Sequence, residues 1–306
     1  MIVRKSSVFP ASRDVVFEKL QKPETLQYIA KPSSGFGQTP FYAYRQREWI
    51  RLLKKGDLRM RYEDGMMARH MMIEQLPYGK PVQDWLKDRY GETEANQIWK
   101  QTQANYRDYL QDLPDYGGSK NGHAKAIYGG LLIFALYPAL PDQPPVSELQ
   151  DFVQNLFMGP FTKLGRVFNL NRPSHMWLID KIFRKSGNKD RRDILKYSEG
   201  FVNIDAPYDK EHHAASYSFT QCPNAEFAKK HGLLHVLPLL CNSDFFGISE
   251  LHWTLIRCGT CGNSDVCDYL IVGSDNPIAK EYETSADEQG FLVSRKRQSK
   301  NARVES

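Results

Sequence analysis

Apolar side chains return every three or four positions through much of the chain between Arg45 and Pro207, and that spacing predicts helices. The stretches are EWIRLLKKG, KPVQDWLKDRYG, ETEANQIWKQTQANYRDYLQDLP, VSELQDFVQNLF and SHMWLIDKIFRK, with Gly91 and Pro114 as punctuation. HAKAIYGGLLIFALYPAL differs from these because it is apolar nearly all round, which predicts a buried helix. Near residue 195 the period shortens. LKYSEGFVNIDA and HAASYSFTQC read as strands, PNAEFAKKHG as a helix ended by Gly232, and LLHVLPLLCNSDFFGISE as a second helix. HWTLIRC and CDYLIVG then form a predicted hairpin around the loop GTCGNSDV. The expected fold class is α+β: a helical N-terminal two-thirds packed on a small antiparallel sheet with flanking helices. The stretch after Pro277 reads as a polar, mobile tail (277–306).

Composition fits a folded globule: 306 residues, 41% apolar and 12% aromatic, enough to build a core without staples. A formal net charge of +5 is mild, and part of it sits in SRKRQSKNAR, a solvated end. This argues against nucleic acid as a partner. The N-terminus has no uninterrupted apolar core of signal-peptide length, and the longest apolar run, GGLLIFALYPAL, is too short to span a bilayer, so a cytoplasmic protein without a membrane partner is expected. In a reducing compartment, five cysteines are expected as free thiols or metal ligands.

All five lie between residues 222 and 267. Cys258 and Cys261 form a CxxC that is a candidate metal pair; alternatively, the glycines and Asn263 make a tight turn in which small apolar cysteines fit. Cys222 precedes Pro223, which favours the first position of a helix and puts the thiol at the N-cap. There it is either a dipole-stabilised thiolate or an inert thiol ending a strand. Cys241 and Asp244 share a helix face, and Asp244 is a proton-transfer group, an anchor or a cap. Cys267 and Asp268 open the last strand and point to opposite sides. His123, at the start of the apolar helix, is either a cap or a pocket acid/base. His70 and His175 have no visible partner, and His212-His213 reads as solvated.

Taken together, CPNAEFAKKHGLLHVLPLLCNSDFF and LIRCGTCGNSDVCDYLIV resemble the L-2-amino-thiazoline-4-carboxylate hydrolase family. The resemblance rests on Cys222, Ala225-Glu226-Phe227, Gly232-Leu233, Cys241, Asp244, Arg257, Gly262 and Cys267-Asp268-Tyr269, with NGHAKAIYGGLLIFALYPAL similar to that family's central apolar helix. It covers about residues 66–273 and is strongest at the C-terminal end; Cys258 and Cys261 fall outside the pattern. The closing segment is also similar to 4-vinyl-reductase-type domains, which implies an antiparallel sheet covered by helices. VFPAS, VFEKL and PETLQYIAKP, in residues 1–33, resemble the start of a START-type, polyketide-cyclase-like domain. The expected organisation is therefore a START-like fragment (1–33), a linker (34–65), a hydrolase-like α+β domain (66–276) and the tail.

The family resemblance implies hydrolysis of a cyclic amidine or isothiourea, opening a thiazoline ring to N-carbamoyl-cysteine. The candidate catalytic residues are Cys222, Cys267, Asp244 and Glu226, with a thiolate at Cys222 or Cys267 attacking the amidine carbon. Arg257, His123, Cys241 and Asp268 are the candidate substrate contacts, Arg257 as a bidentate carboxylate clamp. The partner implied is a small-molecule substrate, and no oligomeric state follows. A metal-bound hydroxide held by cysteines is the competing route, which leaves a divalent metal open as cofactor. A non-catalytic binding module, or an enzyme acting on another sulfur- or nitrogen-containing ring, would use the same residues.

Overall fold

The computed structural model describes Gly65 and residues 69–298, apart from residues 122, 123, 166 and 250. The chain divides into two compact units, Met1–Gly65 and Met66–Ser306. The START-like fragment, the linker and the helix expected at EWIRLLKKG lie outside the described residues, as does His123.

The second unit has the expected α+β character. Helix α1 (Gly79–Tyr90) packs on α2 (Glu92–Asp112) and α2 on α3 (Ala124–Leu136), followed by α4 (Val146–Gly165) and α5 (Pro173–Asp193). Helix α3 is the axis of the core: Leu131, Leu132, Ile133, Phe134 and Ala135 are all buried, which accounts for its lack of a polar face. Helix α5 runs two turns beyond the apolar stretch that predicted it, since Gly187 and Asp190 still face inward.

A four-stranded antiparallel sheet has the order β1-β2-β4-β3, built from β1 (Val202–Asp205), β2 (Ala215–Gln221), β3 (Trp253–Ile256) and β4 (Cys267–Gly273). The predicted pairing of the last two is observed, Trp253 opposite Gly273 and Ile256 opposite Leu270. Between β2 and β3 lie α6 (Pro223–Lys230) and α7 (Pro238–Ser249). The second begins later than its apolar run suggested, at a proline whose missing N–H costs nothing in a first turn.

The expected polar tail is a folded element. After a short helix α8 (Pro277–Lys280), capped by the Asn276 side chain, β5 (Tyr282–Ala286) pairs antiparallel with β6 (Leu292–Lys296). Polar exteriors hid this hairpin, but Phe291 is wholly buried and Val293 and Ser294 nearly so. Phe291 packs where Gly262 has no side chain; a Cβ there would lie 2.5 Å from the ring. Asn242 of α7 donates to the Gly290 carbonyl (2.9 Å) and accepts from the Leu292 amide (2.8 Å). Arg257, just past β3, exchanges two bonds with Ser294: its amide donates to Oγ (3.1 Å) and its carbonyl accepts from the Ser294 amide (2.7 Å).

Because the hairpin closes the core, Phe291→Ala should lower stability by about 3–5 kcal/mol, the range for emptying a buried aromatic site. Urea denaturation measures this; a midpoint equal to that of the unaltered protein would mean that this segment is not packed.

Candidate functional site

A cavity of about 550 Å³ lies between the sheet and helices α3, α6 and α7. Its floor follows from strand register. Tyr217 lies opposite Tyr269 and Phe219 opposite Cys267, and side chains two apart share a face, so all four reach the same side of the sheet. The Tyr217 and Tyr269 rings are stacked 4.6 Å apart, 10° from parallel. The pair forms an aromatic part of the cavity wall.

Helix α7 supplies Leu240, Cys241 and Asp244, spaced as one helix face. Helix α6 supplies Cys222, its N-cap, together with Asn224. Asn224 can reach α3 because Gly130 lacks a side chain; a Cβ there would meet Asn224 Oδ1 at 2.7 Å. Asn224 Nδ2 donates to the Ala126 carbonyl (3.4 Å), which docks the start of α6 on α3 and sets Cys222 against the cavity. Cys261 and Gly262 enter from the β3–β4 loop.

Four of the five thiols, at 222, 241, 261 and 267, therefore line one cavity together with Asp244. Convergence was expected of Cys222, Cys241, Cys267 and Asp244; Cys261 joins them, its thiol directed at the Phe219 carbonyl (3.4 Å). Cys258 instead is exposed. Its loop is shaped by Asp268, which accepts from the amides of Cys258 (2.9 Å) and Gly259 (2.7 Å), and by Asn263, which accepts from the Thr260 amide (2.7 Å). The tight-turn alternative accounts for Cys258, and CxxC sends its two sulfurs to different environments. Among the described residues, no group of three or more His, Cys, Asp or Glu is arranged to hold a metal ion.

Three other expectations are corrected by where the side chains go. Asp268 does point away from Cys267, and for that reason it anchors the loop and does not line the cavity. Glu226 extends into solvent beside Lys229 (3.4 Å), because position 226 faces outward from the first turn of α6. Arg257 is 0% exposed and lies behind the cavity wall. Its Nη1 donates to Asp244 Oδ2 (3.0 Å) and its Nη2 to the Cys241 carbonyl (2.9 Å), while its guanidinium sits 4.7 Å from the Phe245 ring centre. It cannot clamp a substrate carboxylate while so engaged.

Asp244 Oδ2 also accepts from the Tyr269 hydroxyl (2.7 Å). Burial pushes the Asp244 carboxyl above the ordinary aspartate range, and Arg257 and Tyr269 oppose that shift without cancelling it. The thiols are shifted too, in the direction opposite to a dipole-stabilised thiolate. Burial pushes Cys222 up to about 12 although the amides of Ala225 and Asn224 pull it down, and it pushes Cys267 up to about 12 against the pull of Arg257 and Tyr269. A two-turn helix facing an apolar cavity offers too little field to offset the lost hydration.

Lys125 and Asn224 line the cavity as well. Lys125 is exposed, and it has no ion-pair partner among the described residues. Sequence reasoning did not single it out; its position at the start of the apolar helix was the available signal.

No known protein family, curated protein or solved structure matches this chain.

Two outcomes follow. Asp244→Leu strands the buried guanidinium and should cost about 2–3 kcal/mol, toward the low end for a broken buried pair because Asp244 faces the cavity; Asp244→Leu with Arg257→Met should recover most of it in urea titrations. Thiols with folded pKa values raised from 9.0 to about 12 contribute stability that is fully present below pH 9 and is lost as pH rises toward 12. Urea midpoints should fall between pH 8 and pH 10.5, and Cys222→Ala with Cys267→Ala should narrow that fall.

Proposed function

We propose that this protein is a hydrolase that opens a cyclic amidine or isothiourea of the L-2-amino-thiazoline-4-carboxylate type. The observation that carries this reading is the gathering of Cys222, Cys241, Cys267 and Asp244 around one cavity with a stacked tyrosine wall. A planar, delocalised cation suits each part: it packs against the Tyr217–Tyr269 pair, its charge is met by Asp244, and its reacting carbon lies among sulfurs. Lys125, in place of Arg257, is the contact for the substrate carboxylate.

The chemistry balances as two displacements. The Cys267 sulfur attacks the amidinium carbon, its proton passes to Asp244, and the ring C–S bond breaks, releasing the substrate's own thiol once that proton is returned. Water then adds to the enzyme-bound isothiourea carbon, Cys267 leaves with a proton, and a urea remains. The net addition is one water. A thiol held protonated in the empty cavity does not prevent this, because an arriving amidinium favours the thiolate beside it. Cys267 is preferred over Cys222 because it feels both Arg257 and Tyr269.

A second reading, a binding module without turnover, draws on the same raised thiols, since four retained protons make a polarisable, unreactive lining. Turnover of L-2-amino-thiazoline-4-carboxylate by the purified chain separates the two. Cys267→Ala should abolish ring opening, Asp244→Asn should reduce kcat at least a hundredfold, and Lys125→Ala should raise KM about tenfold with little change in kcat. Full activity in both Cys222→Ala and Cys267→Ala would overturn the thiol route. Saturable binding with no turnover would favour the binding module.

A further inference from the structure

Helix α5 packs on β1 and β2 with one face, burying Met176, Ile179 and Gly187, and shows solvent a different composition on the other. Its first half exposes three large apolar side chains: Trp177 (45%), Leu178 (39%) and Ile182 (50%). Positions 177, 178, 181, 182, 185, 189 and 192 recur at three- and four-residue spacing and so fall on one face. That face is cationic in its second half, through Lys185, Lys189 and Arg192, with Lys181 between the two halves and its Nζ 3.6 Å from the Trp177 ring centre.

The helix's other charges are engaged inward. Arg184 pairs with Asp180 (2.7 Å) and Arg191 with Asp205 (2.7 Å), and both Asp180 and Asp190 are buried. No exposed position between 172 and 192 is acidic. Lys181, Lys185, Lys189 and Arg192 have no ion-pair partner among the described residues. Interfacial membrane helices use the same groups, aromatic and aliphatic side chains that enter the headgroup boundary and cations that meet anionic lipid; here the two follow one another along a single face.

We propose that the outer face of α5 docks the protein onto an anionic lipid surface, with the helix lying in the plane of the interface. The expectation of no membrane partner rested on the lack of a spanning segment, and no helix among the described residues is long and apolar enough to cross a bilayer. Surface docking does not require one. The two other occupants fit less well. Nucleic acid would use the cations but leave Leu178 and Ile182 without a role, and a second copy meeting this face about a two-fold axis would bring like charges together.

The test is co-sedimentation of the full chain with phosphatidylcholine vesicles and with vesicles containing 30% phosphatidylserine, at 0.1 M and 0.5 M salt. The expected result is binding to the phosphatidylserine vesicles alone, weakened by salt. Lys185→Glu with Arg192→Glu should reduce it at least tenfold, as should Trp177→Ser with Ile182→Ser; all four side chains are exposed or on the exposed face, so both double variants should keep the unaltered thermal midpoint. Four outcomes would overturn the proposal. These are no sedimentation at either composition, equal sedimentation without phosphatidylserine, charge-reversed protein binding as before, and single-stranded RNA binding that survives Trp177→Ser with Ile182→Ser. Self-association in light scattering that both double variants abolish would assign the face to a second copy instead.

Discussion

The cavity depends on a guanidinium with no access to water. Removing the Arg257 charge from solvent costs several kcal/mol unless it is paired, and the fold gives partners to both Nη atoms while Nε stays without one among the described residues. Asp244 and the Cys241 carbonyl, both on α7, accept from its Nη atoms, while Tyr269 of β4 shares the same carboxylate oxygen. These bonds tie α7 to the sheet at the place where the two separate to leave the cavity. The carboxyl stays shifted upward in spite of a cation 3.0 Å away because burial outweighs the two opposing bonds, both made to one of its oxygens.

Local rules made much of this legible. The three-to-four spacing found the helices, the all-apolar α3 announced itself as buried, and period-two alternation placed Cys267 and Asp268 on opposite sides of β4. Cys241 and Asp244 were paired by helix spacing alone, and both reach the cavity. Depth below the surface was not legible. An arginine at the end of a strand looks the same in sequence whether it greets a ligand or lies behind a wall, and only the tertiary placement of Asp244 distinguishes the two for Arg257. The same limit hid Cys261, whose partner surface, the Phe219 carbonyl, lies 42 positions away.

Protonation failed to follow from sequence for a related reason. An N-cap position favours negative charge, and Cys222 occupies one. The sign of its shift is decided by burial in the cavity, whose wall includes α3 and α7, both far from Cys222 along the chain.

The hairpin β5–β6 braces three of the parts that shape the site. Ser294 brackets the backbone of Arg257, Asn242 joins α7 to the hairpin turn, and Asp287 accepts from Asn263 in the loop that carries Cys261 (2.6 Å). During synthesis this brace is made late, after all the residues it supports. The nascent polypeptide therefore gains these bonds to Arg257, α7 and the Cys261 loop only once residues 282–296 have cleared the ribosome.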